Sequence, residues 1–221
     1  DVGYVIAKGN CRYWQPETIA NFESCLHAHY MANRLAWDPS EKPAAIFDEI
    51  HDKFYGHASK EIAAYWKAVD AMWVQTPEYS GCGFGHLRRF TPERLANCRK
   101  LMNAAVAACQ TDLEKYRVEM AEKSFAGLEL FMKLRRDLAD GRFTTLASDA
   151  DTYVKTQNAL GQKYKPQFAF GNMYWTAENT INTIYFKEFY KHTYDDATRI
   201  ASQFDILTSP VLRKWKYQID P

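Results

Sequence analysis

Apolar residues recur at helical spacing along most of this chain. Ile46, Phe47, Ile50 and Phe54 share one side of a helix predicted at about 43–55, and Gly56 suits its C-terminal cap. A preceding helix starts at Gln15-Pro16-Glu17, with Pro in the first turn and Glu beside the positive end of the dipole. It carries Ile19, Phe22, Leu26 and Tyr30 to about residue 36. Trp37-Asp38-Pro39-Ser40 stops it, because a residue before proline avoids the α region.

The same spacing predicts a helix at about 58–74, with Ile62, Tyr65, Trp66, Val69 and Trp73 inward. Another begins at Thr91-Pro92, an N-cap threonine with proline at the first helical position, and presents Leu95, Cys98, Leu101, Met102, Ala105 and Val106. The longest covers 112–139. Leu113, Tyr116, Met120, Leu128, Phe131 and Leu138 form its stripe, and Glu114, Lys115, Glu119, Lys123, Lys133 and Arg136 read as its solvated face. Further helices are expected at 145–160 and 177–203. The stretches 77–90, with Gly81, Gly83 and Gly85, and 165–176 break the pattern. Two runs suggest strands: β-prone Tyr4-Val5-Ile6-Ala7, and the alternation across residues 214–219. The expected fold is therefore mainly α, an irregular bundle of six to seven helices with short strand segments at both termini.

Composition narrows the function without naming it. In 221 residues, 28 Lys+Arg face 27 Asp+Glu, a net charge of +1, so no basic field points to nucleic acid. No apolar run approaches the ~18 residues of a membrane span. Aromatic residues make up 15% of the chain, which fits a large core. Cys11, Cys25, Cys82, Cys98 and Cys109 are odd in number and form no CxxC pair, so neither a disulfide framework nor zinc is expected. His27 and His29 stand about 200° apart around their helix and cannot chelate one metal from one face. No motif calls for a metal or another cofactor. The glycines at 81–85 lack the Gly-Lys-Ser/Thr of a phosphate loop. The acidic pairs Asp48/Glu49, Asp137/Asp140 and Asp195/Asp196 read as solubility and capping features, and no residue is assigned a catalytic role. The best candidates for ligand contact are Lys8, Asn10, Arg12, Tyr13 and Trp14, a polar and aromatic run between a strand and a helix; a plain connecting loop is the competing reading.

Residues 30–56 carry a resemblance. Tyr30-Met31-Ala32-Asn33-Arg34-Leu35-Ala36-Trp37-Asp38-Pro39 is followed by Ile46-Phe47-Asp48-Glu49-Ile50 and Lys53-Phe54-Tyr55-Gly56. This resembles the post-barrel helical region of a glycoside-hydrolase-like domain-of-unknown-function family related to α-glucuronidases. The resemblance implies that 1–16 is the remnant of the last barrel strand and its loop over the sugar site, 17–204 a helical domain, and 205–221 a strand-like lead into a β-domain. The missing initiator Met fits a piece of a larger protein; a processed mature chain is the rival. The family's catalytic carboxylates lie on earlier barrel strands, so none is carried over. The resemblance further implies a carbohydrate substrate for the parent protein, contact with that barrel and β-domain, self-association as a homodimer, and a periplasmic or secreted bacterial setting. A non-catalytic helical protein-interaction module is the alternative.

Overall fold

The computed structural model describes residues 2–9, 11, 13–15, 22–75 and 87–164. It is mainly helical, with no strand among the described residues. The elements are α1 (Val2–Lys8), α2 (Phe22–Trp37), α3 (Pro43–Tyr55), a 3-10 turn (Gly56–Ala58), α4 (Ser59–Val74), α5 (Pro92–Ala108), α6 (Asp112–Ala139) and α7 (Phe143–Lys163). Two compact units divide the chain: residues 1–77 with 91–124, and residues 78–90 with 125–221.

In the first unit α2 packs on α1 and α3, and α4 on α3 and α5. Its interior holds Ile46, Ile62, Met72, Leu95, Cys98, Met102 and Val118. The expected start of α5 is present: Thr91 is extended, Pro92 opens the helix, and the Thr91 hydroxyl accepts from the Arg94 N–H at 3.4 Å. The expected bounds of α3 and α6 also agree with the structure. In the described part of the second unit, Phe131, Leu134, Leu146, Tyr153 and Leu160 are buried. Phe131 and Tyr153 meet with ring centroids 5.9 Å apart. Gly127 admits the Gln157 amide, which a Cβ there would strike.

Three expectations are corrected. Residues 4–7 form no strand but lie in α1, and the Gly9 N–H closes that helix on the Val5 carbonyl at 2.8 Å. A lone strand leaves its backbone groups unpaired, whereas a helix satisfies them within the segment. The strand expected within 1–16 is thus replaced by a helix over Val2–Lys8. Second, Glu114 does not belong to the solvated face of α6; it is 9% exposed. Third, Asp137 is buried, and it is an ion-pair centre rather than a solubility feature. Several stripe assignments shift as well. Trp73, Val106, Leu113 and Tyr116 are exposed, while His51, Tyr55 and Met72 are buried. The expected features at 77–86, 165–176, 177–203 and 214–219 lie outside the described residues.

Candidate functional site

The phrase that carries the resemblance folds into a braced turn. The Asp38 N–H ends α2 on the Arg34 carbonyl at 2.8 Å. The Asp38 carboxylate then accepts from the Ser40 N–H (2.9 Å) and hydroxyl (2.6 Å). Arg34 forks onto Glu41, giving Nε to Oε1 at 2.8 Å and a second bond to Oε2. Its Nη1 also reaches Glu49 at 2.9 Å and the Tyr30 hydroxyl at 2.8 Å. Lys53 completes the cluster on Glu49 at 2.6 Å. The Lys53 hydrogen bond, and after it that of Arg34, holds the Glu49 carboxyl down at about 2. Trp37 sits on this braced turn and is 92% exposed.

A second polar centre forms at the start of α6. Thr111 and Glu114 make a capping box: the Glu114 N–H gives to the Thr111 hydroxyl at 3.2 Å, and the Glu114 carboxylate takes the Thr111 N–H at 3.1 Å. The same carboxylate accepts from the Gln110 N–H at 2.8 Å and from the His57 N–H and Nδ1 at 3.2 and 2.8 Å. The Gln110 N–H contributes most to holding Glu114 down at about 2. Gly56 lies beside it with φ 55°, and a Cβ at Gly56 would overlap the carboxylate. Close by, Arg117 gives Nη1 to the Phe54 carbonyl at 2.7 Å and stacks 4.4 Å over the Phe54 ring, which caps the end of α3. The sequence signal for this centre is Thr-x-x-Glu at 111–114, just ahead of a helical pattern.

In the second unit Asp137 takes Arg142 at 2.9 and 2.7 Å and Lys133 at 3.0 Å. Burial pushes its carboxyl up, but these donors outweigh that and leave it below the ordinary range. A general acid needs a carboxyl that keeps its proton near neutral pH. Glu49, Glu114 and Asp137 are all held in the opposite direction.

His27, His51, Phe47 and Trp66 form a ring cluster where α2, α3 and α4 meet. The His27 ring lies 4.4 Å from Trp66, 5.8 Å from His51 and 5.9 Å from Phe47. Burial, then His51 and His29, lowers the His27 pKa to about 4. Burial also lowers that of His51.

Of the run expected to touch a ligand, Lys8, Tyr13 and Trp14 are described. Lys8 ends α1 and is exposed, Tyr13 is 93% exposed and Trp14 is partly exposed. Asn10 and Arg12 lie outside the described residues, as does Cys82 with its glycine-rich loop. An open groove of about 480 Å³ is lined by Asn103, Val106 and Cys109 and by Lys115, Val118, Glu119, Glu122 and Lys123 of α6. Its charges are committed: Glu122 takes Arg99 at 2.7 Å and Lys123 at 2.9 Å. The Cys109 thiol gives to the Ala105 carbonyl at 3.3 Å, and burial, then Glu114, raises its pKa. A thiol held in its protonated form is a poor nucleophile. Cys11, Cys25, Cys98 and Cys109 form no disulfide among the described residues. No cluster of three or more His, Cys, Asp or Glu able to hold a metal occurs among the described residues, and none of their helices is long and apolar enough to cross a membrane. The chain matches no family model, no curated protein and no solved structure.

Proposed function

We propose that this chain is the helical domain that follows the catalytic barrel of a carbohydrate-active glycoside hydrolase, and that it supports that barrel and edges its sugar cleft. Polysaccharide or uronide hydrolysis would use two carboxylates of the barrel. The reading begins from the resemblance over residues 30–56. One observation carries it further: Trp37, within the resembling phrase, is 92% exposed, yet the turn that bears it is braced by Asp38 with Ser40 and by Arg34 with Glu41. A rigidly mounted indole without cover suits an interface with another part of the same protein. On this reading Lys8, Asn10, Arg12, Tyr13 and Trp14 line the cleft edge, and residues 205–221 lead into a β-domain. The parent protein is bacterial and periplasmic or secreted, and its helical region self-associates. Exposed Trp73 and Val74 on α4 and Leu113 on α6 favour a second reading, a non-catalytic module that binds a separate protein.

Hydrolysis and stability measured together test the proposal. The whole gene product is expected to cleave at least one member of a panel of aryl glycosides and uronides, and the 221-residue chain none. Trp37→Ala is expected to change the stability of the chain alone by less than about 0.5 kcal/mol, as at an exposed surface site, and to destabilise the whole protein by about 1 kcal/mol or more. Turnover by the chain alone, or an equal effect of Trp37→Ala in both, would contradict it.

A further inference from the structure

We propose that His27 and His51 form an acid-release latch, in which protonation frees the first half of α2 from α3 and α4 while the second half stays clamped by Arg34. His51 is 1% exposed, and its Nδ1 lies 2.7 Å from the Phe47 carbonyl. A carbonyl only accepts, so Nδ1 carries the proton and Nε2 is left as a bare lone pair. That Nε2 is buried and has no hydrogen-bond partner among the described residues. Protonating it would place an N–H and a positive charge where nothing receives them. His27, the α2 member of the pair, is half-buried against the rings of Trp66, Phe47 and His51. A charge on either imidazole opposes a charge on the other across 5.8 Å.

The surroundings offer little relief. The charged and titratable groups that face the pair are His29 on α2, Asp48 and Asp52 on α3, and Lys67 on α4. Asp48 and Lys67 lie 3.9 Å apart, both about two-thirds exposed, and Asp52 accepts from the Ser59 hydroxyl. Neither carboxylate is hydrogen-bonded to an imidazole in the described structure. The simplest escape for a protonated His27 is into water, which moves the helix that bears it.

Direction and window follow from linkage. Closed, His27 takes up a proton near pH 4; open to water, it does so near 6.5. Opening therefore binds a proton between those values. The closed form keeps its full advantage above about 6.5 and loses it as pH falls towards about 4. The clamp outlasts that window, because Glu49 stays ionised down to about 2. Arg34 therefore holds residues 30–37 while residues 24–29 are released.

Hydrogen exchange of the 221-residue chain, corrected for intrinsic rates, reads the two halves of α2 separately. Between about pH 7.5 and about pH 5, protection over 24–29 is expected to fall about 30-fold for one proton bound on opening, and over 31–37 less than about threefold. His27→Phe, which keeps a ring in the cluster, is expected to abolish the fall. His51→Phe, which removes the buried lone pair, is expected to reduce it. The NMR titration midpoint of His27 in the unaltered chain, expected below about 5, needs no variant to fold. Equal loss across α2, no loss, a fall that survives both substitutions, or a His27 midpoint near the ordinary value of about 6.5 would overturn the proposal.

Discussion

Gly56→Ala is expected to lower the melting temperature of the chain by about 5–10 °C, far more than a surface change to alanine. Two independent effects combine. At φ 55° an L side chain is strained, and the added Cβ would overlap the Glu114 carboxylate. Glu114 cannot retreat at no cost, because its two oxygens serve the Gln110, Thr111 and His57 N–H groups and the His57 ring. Displacing it opens the capping box of α6 and the turn after α3 together. Glu114→Gln separates the two effects. It leaves Gly56 alone but replaces one accepting oxygen with an NH₂ that faces donors, so it should also destabilise, by several degrees. Acid should mimic it. The Glu114 contribution is intact above about 4.5 and is lost as pH falls towards about 2, so glutamine at 114 should remove that part of the acid transition. Thermal melts followed by circular dichroism between pH 7 and pH 2 check both. A Gly56→Ala chain that melts within about 1 °C of the parent would show that the turn is not constrained as described.

Ile62→Ala should cost about 2–5 kcal/mol, the range for truncating a buried aliphatic side chain. Ile62 is fully buried on α4, and α4 meets both α3 and α5 in the first unit. Removing its outer atoms leaves a cavity that three packed helices cannot readily close. Ile62→Val should cost only about 0.5–1.5 kcal/mol, which separates lost volume from general disruption. Urea unfolding reads both values, and an unchanged slope would show that the cost lies in the folded state. A cost below about 0.5 kcal/mol for the alanine variant would mean that Ile62 is no part of a packed core.

The helices were legible where period and punctuation agreed. Pro92 after Thr91, Pro39 after α2 and Gly56 after α3 mark boundaries that the structure keeps. The inward residues were less legible. His51 counts as polar in any hydropathy pattern, yet it is buried because Nδ1 finds the Phe47 carbonyl and its faces meet other rings. Glu114 reads as one charge among many on a long helix, and only its distance from Thr111 marks it as a cap. Asp137 is buried because Lys133, one turn before it, and Arg142, just after the helix, both reach it. The His57 contact to Glu114 spans 57 positions, and the near-in-sequence ion pairs of Asp137 follow no apolar period, so hydropathy spacing registers neither. The strand expected at 4–7 rested on the preference of Val, Tyr and Ile for sheets, which decides little where the described residues hold no neighbouring strand. For the candidate ligand run, the described residues show exposed rings at Tyr13 and Trp14.

The central claim is that this chain works as one domain of a larger carbohydrate-active protein, and the mass of the native gene product, taken under denaturing conditions from its source, tests it most directly. A catalytic barrel adds about 250 residues, so the account predicts a mass above about 50 kDa. A native product of 25.6 kDa, the mass of these 221 residues alone, would contradict it and leave the protein-binding module as the reading to pursue.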